Sequence, residues 1–226
     1  MKIKYLGHAA LLLEIKGKSI IVDPFISGNE LASHIDIYSL KADYILVTHG
    51  HSDHVADVET IAKNTGAIVV SNFEVVNWFA KSGIKGHPMN HGGKWKFDFG
   101  FVKFVNAIHS SSMPDGTYGG NPGGFVIWND EISFYIAGDT ALTEDMKSIP
   151  VTCPSLDFCV LPIGDNFTMG YEDACIASDY LQCDKVIAYH YDTFGYIVIH
   201  KENAIQTFRN KNKELIFLNI GESMIF

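Results

Sequence analysis

Thr48-His49-Gly50-His51-Ser52-Asp53-His54 sets four potential metal ligands within six residues, directly behind the apolar run 44–47. At this composition an HxHxDH string would arise by chance in about one such chain per thousand. The spacing has a physical reading. Residues two apart at the end of an extended segment project to the same side, so His49 and His51 can share one ion. Asp53 and His54 lie past the turn and point toward a second ion, while Gly50 supplies the backbone freedom that a ligand-dense loop needs. A merely solvated histidine tract does not fit this context. The cluster is internal, follows a core strand, and precedes residues 55–64, whose apolar spacing is helical and which stop at Gly66.

Working outward toward the N-terminus, apolar runs at 3–6, 9–15 and 19–22 read as an antiparallel meander, with Lys16-Gly17-Lys18 as its clearest turn. In the other direction a strand is expected near 67–70, a helix near 72–81, and strands over 95–99 and 101–107. Residues 110–124 carry Pro114, Pro122 and five glycines, which is long for a structureless connection and marks a functional loop. Strands over 125–128 and 132–137 follow, joined as a hairpin by Asn129-Asp130-Glu131. The remainder alternates strand 158–162, helix 171–181, strand 185–189, helix 201–210 and strand 214–218. A strand-rich first half and an alternating second half predict sheets covered by helices on their outer faces, in one domain over 1–226, with no fixed-period repeat or low-complexity tract.

Composition narrows the function. A chain of 226 residues, 47% hydrophobic, can bury one sizeable core. Its net charge of −9 disfavours nucleic acid, whose binding draws affinity from Lys and Arg neutralising phosphates. Arg209 is the only arginine, so a guanidinium clamp for phosphate is absent. Cys153, Cys159, Cys175 and Cys183 show no CxxC spacing and read as reduced thiols. The apolar N-terminal stretch is interrupted by Glu14, Lys16 and Lys18 before a signal peptide or membrane span is complete, so a cytoplasmic location without a membrane partner is expected.

Three further residues, His109, Asp139 and His190, stand where the chain leaves a predicted strand, which is where sheet-based sites collect their chemistry. With them the sequence resembles the metallo-β-lactamase superfamily, whose signature runs Thr-His-x-His-x-Asp-His, a later His, a Gly-Asp-Thr-type Asp and a final His. All parts occur here in order. More narrowly, Leu6-Gly7-His8-Ala9, Asp23-Pro24-Phe25, His109-Ser110-Ser111-Ser112, the stretch 162–170 and His190-Tyr191-Asp192-Thr193-Phe194 look like the small metal-dependent hydrolases grouped near ascorbate-6-phosphate lactonase. The resemblance spans nearly the whole chain. It implies an α/β fold, a four-layer αββα sandwich. It also implies that His49, His51 and His109 hold a first ion, that Asp53, His54 and His190 hold a second, and that Asp139 bridges them.

Seven side chains across two ions leave coordination positions free for water and substrate, which a closed structural site would not. A bridging water lowered toward a pKa of about 7, between ions roughly 3.5–4 Å apart, makes hydrolysis of a carbonyl or phosphoryl centre the expected reaction. Imidazole and carboxylate ligands without thiolate suit zinc first, with manganese or iron as alternatives. Asp53 and Asp139 are the catalytic candidates within the ligand set. Asp165 is a third, able to orient water or take a leaving-group proton, unless it serves only its own turn. His8 and Tyr191 are candidate substrate contacts, each with a packing alternative. Asp23 and Thr48 read as residues that hold the ligand loop in shape. The expected function is hydrolysis of a small ester or lactone-type molecule. Two alternatives stand beside it: a phosphodiesterase or nuclease-type hydrolase, against which the missing basic patch and clamp domain argue, and a non-catalytic metal-binding or sensing module. Di-iron oxygen chemistry fits less well, because such relatives carry Glu at the place of His51 and a flavin domain. Self-association into a homo-oligomer is compatible with the sequence.

Overall fold

A computed structural model describes all 226 residues. The N-terminal apolar runs fold as the expected meander, β1 (Lys2–Gly7), β2 (Ala10–Ile15) and β3 (Lys18–Val22) pairing antiparallel. Lys16 and Gly17 both take positive φ, 49° and 76°, in the β2–β3 turn. This is the primed geometry that matches the twist of paired strands. β4 (Tyr44–Leu46), α1 (Ser52–Val55), α2 (Val58–Thr65), β5 (Ile68–Asn72), α3 (Phe73–Ala80) and β6 (Gly86–Met89) follow, with β3 to β6 pairing in parallel. The single helix expected over 55–64 is broken at Asp57. Its carboxylate accepts the backbone N–H groups of Ile26 (2.6 Å) and Ser27 (2.9 Å), and a side chain that bonds elsewhere in this way competes with helix continuation.

The second half contributes β7 (Lys94–Phe97), β8 (Gly100–Asn106), β9 (Gly123–Trp128), β10 (Ser133–Ile136), α4 (Ile149–Thr152), β11 (Phe158–Pro162), α5 (Tyr171–Tyr180), β12 (Lys185–Tyr189), α6 (Lys201–Arg209), β13 (Glu214–Ile216) and β14 (Ser223–Ile225). Two seven-stranded sheets result, ordered β14-β1-β2-β3-β4-β5-β6 and β13-β12-β11-β10-β9-β8-β7. Their facing sides share one core, in which Leu11, Leu13, Val22 and Leu46 meet Phe104, Phe134, Val160 and Ile187. Intervening residues point outward: Ile21, Ile45 and Val69 cluster with residues of α2 and α3, and Tyr135, Cys159 and Val186 with residues of α5 and α6. Strands buried on both faces must read as continuous apolar runs, as these do. The architecture is the four-layer αββα sandwich that the resemblance implies.

Two strands lie outside the sequence expectation. β6, Gly-His-Pro-Met, has no alternation and survives as an edge strand, the one place where a proline costs no ladder bond. β14 is three residues added to the β1 edge. The loop expected over 110–124 also ends early, because Gly123 and Gly124 already pair with β8. A Cβ on Gly123 would lie 2.4 Å from Phe104 Cζ, so these glycines reflect close strand packing. The rest of the loop is fastened. Asn72 caps α3 through Val75 N–H (2.8 Å) while its amide donates to the carbonyls of Gly119 (2.8 Å) and Asn121 (3.2 Å). Asn72→Ala is therefore expected to cost about 2 kcal/mol, one part cap and one part buried hydrogen bonds. Denaturant unfolding would measure that loss, and limited proteolysis would show faster cleavage within 110–124. No helix is long and apolar enough to cross a membrane.

Candidate metal centre

The seven expected ligands come from four segments that each follow a strand: the loop after β4, His109 after β8, Asp139 after β10 and His190 after β12. His49, His54, Asp139 and His190 are buried and form the floor, whereas His51, Asp53 and His109 are half-buried and form the open rim. The ligating atoms of His49, His51 and His109 lie within 4.8 Å of one another. So do those of Asp53, His54 and His190, with His8 as a fourth member. Asp139 stands between the two groups. Its Oδ1 is 3.3 Å from His54 Nε2, and its Oδ2 is 3.0 Å from His190 Nε2 and 3.5 Å from His109 Nε2.

Proton placement follows from the hydrogen bonds behind the floor. Asp23, fully buried, accepts from Thr48 N–H (2.8 Å), from the Thr48 hydroxyl (2.6 Å) and from His54 Nδ1 (2.9 Å). The single hydroxyl proton of Thr48 is thereby committed to Asp23. His49 Nδ1, 3.0 Å from Thr48 Oγ1, must then be the donor to that oxygen. His49 is thereby left with its Nε2 lone pair facing into the centre, the form a metal requires, whereas Asp139 and Asp23 outweigh burial and raise His54 above the ordinary histidine range, so that an ion would have to displace a proton from its Nε2. Burial, with the neighbouring imidazoles, lowers His49, His51 and His109 below the ordinary histidine range and keeps them neutral. Burial alone would raise the carboxyls of Asp139 and Asp53. His190 and His54 around the first, and the His8 hydrogen bond and His54 beside the second, instead hold both below the usual carboxylate range.

The donor set fits a divalent cation. His54 Nε2, Asp139 Oδ1 and both ring nitrogens of His190 are buried without a hydrogen-bond partner, each at a cost of about 1–3 kcal/mol if left so. Of the eight buried side-chain atoms left without a partner in the chain, three, His54 Nε2, Asp139 Oδ1 and His190 Nε2, are candidate ligand atoms gathered in one place. His49 Nε2 and His51 Nδ1 sit 3.0 Å apart, close to the about 3.3 Å expected of two nitrogens on one tetrahedral ion. Backbone strain gathers here too, since His8, Asp23 and His190 are among nine non-glycine residues with positive φ. Gly138, φ 68°, could carry no side chain, because a Cβ would lie 2.8 Å from both Gly123 O and Thr48 Cβ. Gly138→Ala is expected to cost about 1–2 kcal/mol and, by displacing Thr48 and Asp139, to weaken metal binding about tenfold, measurable by competition with a chromogenic chelator.

A family model described as a beta-lactamase superfamily domain matches residues 2–190. The chain belongs to the metallo-β-lactamase superfamily. A protein of Flavobacterium johnsoniae named UPF0173 metal-dependent hydrolase is 64% identical over 99% of each chain, and one of Thermus thermophilus is 45% identical over 98% of this chain and 97% of its own. Among solved structures, Igni18, a metallo hydrolase of Ignicoccus hospitalis, is 31% identical with a TM-score of 0.89, covering 100% of this chain and 98% of its own. An isothiocyanate hydrolase from Delia radicum gut bacteria, 18% identical at a TM-score of 0.79 over 100% and 99% of the two chains, shares the fold. With these relatives, this metallo-β-lactamase superfamily member is a metal-dependent hydrolase.

Within the metallo-β-lactamase scaffold the remaining candidates fare differently. His8, buried in the β1–β2 turn, is brought to the centre. Its Nε2 is 3.1 Å from Asp53 Oδ2, its Nδ1 is 3.0 Å from Thr193 Oγ1, and its ring lies 4.0 Å from that of His190. Tyr191 is not. The chain turns at His190 (φ 55°), and the Tyr191 side chain enters the outer core beside Phe217, so packing is its role and a substrate contact is not. Asp165 is exposed, and its carboxylate accepts Asn166 N–H (2.8 Å) within the turn closed by Gly164 and Gly170, with no hydrogen bond or ion pair to the cluster. Three residues were not expected at the centre: Thr193 behind His8, Ser111 accepting Gly50 N–H (3.1 Å), and Ser110, whose hydroxyl is 3.3 Å from His51 Nε2. All three lie in stretches that carry the resemblance, but nothing in their residue type assigned them a role.

Proposed function

We propose that the cluster holds two divalent ions, zinc first and manganese or iron as alternatives, and that the enzyme hydrolyses a small ester or lactone-type substrate. One observation carries the two-ion reading: Asp139 Oδ2 lies within 3.5 Å of a histidine from each ligand group, His109 and His190. His49, His51 and His109 would hold one ion, and Asp53, His54 and His190 the other. Such ions supply Lewis acidity, which polarises a carbonyl and makes water a competent nucleophile at neutral pH.

The chain's own groups do the rest. Asp23 and Thr48 fix the orientation of His49 and His54. Asp53, its side chain 29% exposed, is the accessible carboxylate of the centre, restrained through Oδ2 by His8, and a carboxylate at that rim can accept a proton from water. Ester over phosphodiester is supported by the net charge of −9, by Arg209 being the sole arginine, and by its position at the end of α6. The same charge argues for a small molecule and against nucleic acid as partner.

The test is a panel of lactones, esters, thioesters and phosphodiesters, assayed before and after chelation on protein purified without added metal. Turnover of esters or lactones that chelation abolishes is expected. Turnover of phosphodiesters alone would replace this reading with a phosphodiesterase, and full metal occupancy with no turnover on any member would replace it with a sensing module.

A further inference from the structure

Beside the metal centre lies a groove of about 750 Å³, between the turn at Glu30–Ala32 and the segment that follows His190. Its walls include Leu31, Phe167, Phe194 and Tyr196. Three of these leave unusual apolar area in water: Leu31 is 52% exposed, Phe167 48% and Tyr196 78%. Single exposed apolar side chains are ordinary, but several facing one concavity beside a reactive centre mark a binding surface.

The groove is joined to the centre through His8. Thr193, which lines the groove, meets His8 Nδ1 at 3.0 Å, and the Phe194 ring packs 5.1 Å from the His8 ring. The opposite nitrogen of His8 reaches Asp53 Oδ2, on the open rim of the centre. One side chain thus separates the rim of the centre from the groove wall at Thr193. Its charges are equally informative. No lysine or arginine lines it, and of its two acids Asp192 is paired with Lys201 at 3.5 Å, which leaves Glu30 as the acid without a salt-bridge partner. An anionic group would find no cation in the lining, whereas an uncharged alkyl or aryl group would find three exposed apolar side chains to cover.

We propose that this groove is the substrate-side subsite of the metal centre and takes an uncharged apolar group, alkyl or aryl, attached to the scissile bond. The proposal rests on the ester and lactone reading above. It makes Leu31 and Phe167 specificity residues, because they contribute apolar area and touch no ligand.

Two measurements test it and fail separately. The first needs no turnover. The metal-loaded protein is titrated with N-phenyl-1-naphthylamine, an uncharged apolar fluorophore, and saturable binding with enhanced emission is expected. Leu31→Asp and Phe167→Ser should each weaken that binding about tenfold. Val151→Asp, at an exposed apolar residue outside the groove, should leave it unchanged. The second is a p-nitrophenyl ester series of increasing acyl length on the metal-loaded enzyme. kcat/KM should rise about two- to fourfold per methylene, the latter being the value for full burial, and the slope should flatten in Leu31→Asp and Phe167→Ser. Probe binding that ignores both groove variants, or a wild-type slope that is flat while esters are still turned over, overturns the subsite. Probe binding that the variants weaken, with no ester hydrolysed, keeps the subsite and overturns the ester reading instead.

Discussion

Replacing Asp139 by alanine is expected to lower kcat/KM on the order of 10³-fold and to strip the protein of metal at the same time. Asp139 is the one carboxylate whose oxygens lie within 3.5 Å of three imidazoles, those of His54, His109 and His190. Its removal deprives both ligand groups of their shared anion. The backbone around it has independent support: Ala137 N–H bonds to Val160 O (3.1 Å), and the Thr140 hydroxyl accepts Ile108 N–H (3.0 Å). The variant should therefore fold. Asp139→Asn keeps the shape and removes the charge, and it should lose nearly as much activity. Steady-state kinetics alongside metal content per chain would check both, and an Asp139→Ala enzyme with full metal and unaltered turnover would remove Asp139 from the account.

The second large effect concerns stability. Without an ion, the His54, Asp139 and His190 atoms that face the centre are buried and unpaired. Binding repairs this only in the folded state, so metal at about 1,000 times its dissociation constant should add about 4 kcal/mol per site. At about 2–4 °C per kcal/mol for a chain of this size, one ion should raise Tm by about 8–16 °C and two by more. Calorimetry in excess chelator and in excess zinc would measure the shift. Asp139→Ala should shrink it, and a wild-type Tm indifferent to both conditions would argue that the cluster binds no ion.

The parts of the site that were legible in the sequence are those whose chemistry forces ligands close along the chain. His49, His51, Asp53 and His54 stand out because one loop carries four potential ligands within six residues, and His109, Asp139 and His190 because strand ends deliver them. Sheets covered by helices were legible for a related reason, whereas their stacking as a four-layer sandwich came only with the resemblance. Strands such as β11 and β12 are buried on both faces and can carry only apolar residues, as Phe158–Pro162 and Lys185–Tyr189 nearly do. What escaped depends on partners distant in sequence. Asp57 breaks a helix to bind Ile26 and Ser27, thirty residues earlier, and β6 and β14 exist because a sheet edge was available to them. The left-handed backbone at His8 and His190 cannot be read from those residue types, yet it places His8 beside Asp53 and sends Tyr191 into the outer core.

The central claim is a two-ion centre shared through Asp139, and calorimetric titration of the metal-free protein with zinc, with metal analysis of the isolated complex, tests it most directly. Two equivalents per chain are predicted for the wild type, and fewer for Asp139→Ala and for His109→Ala. A single equivalent in the wild type, or two equivalents that survive both substitutions, would contradict it.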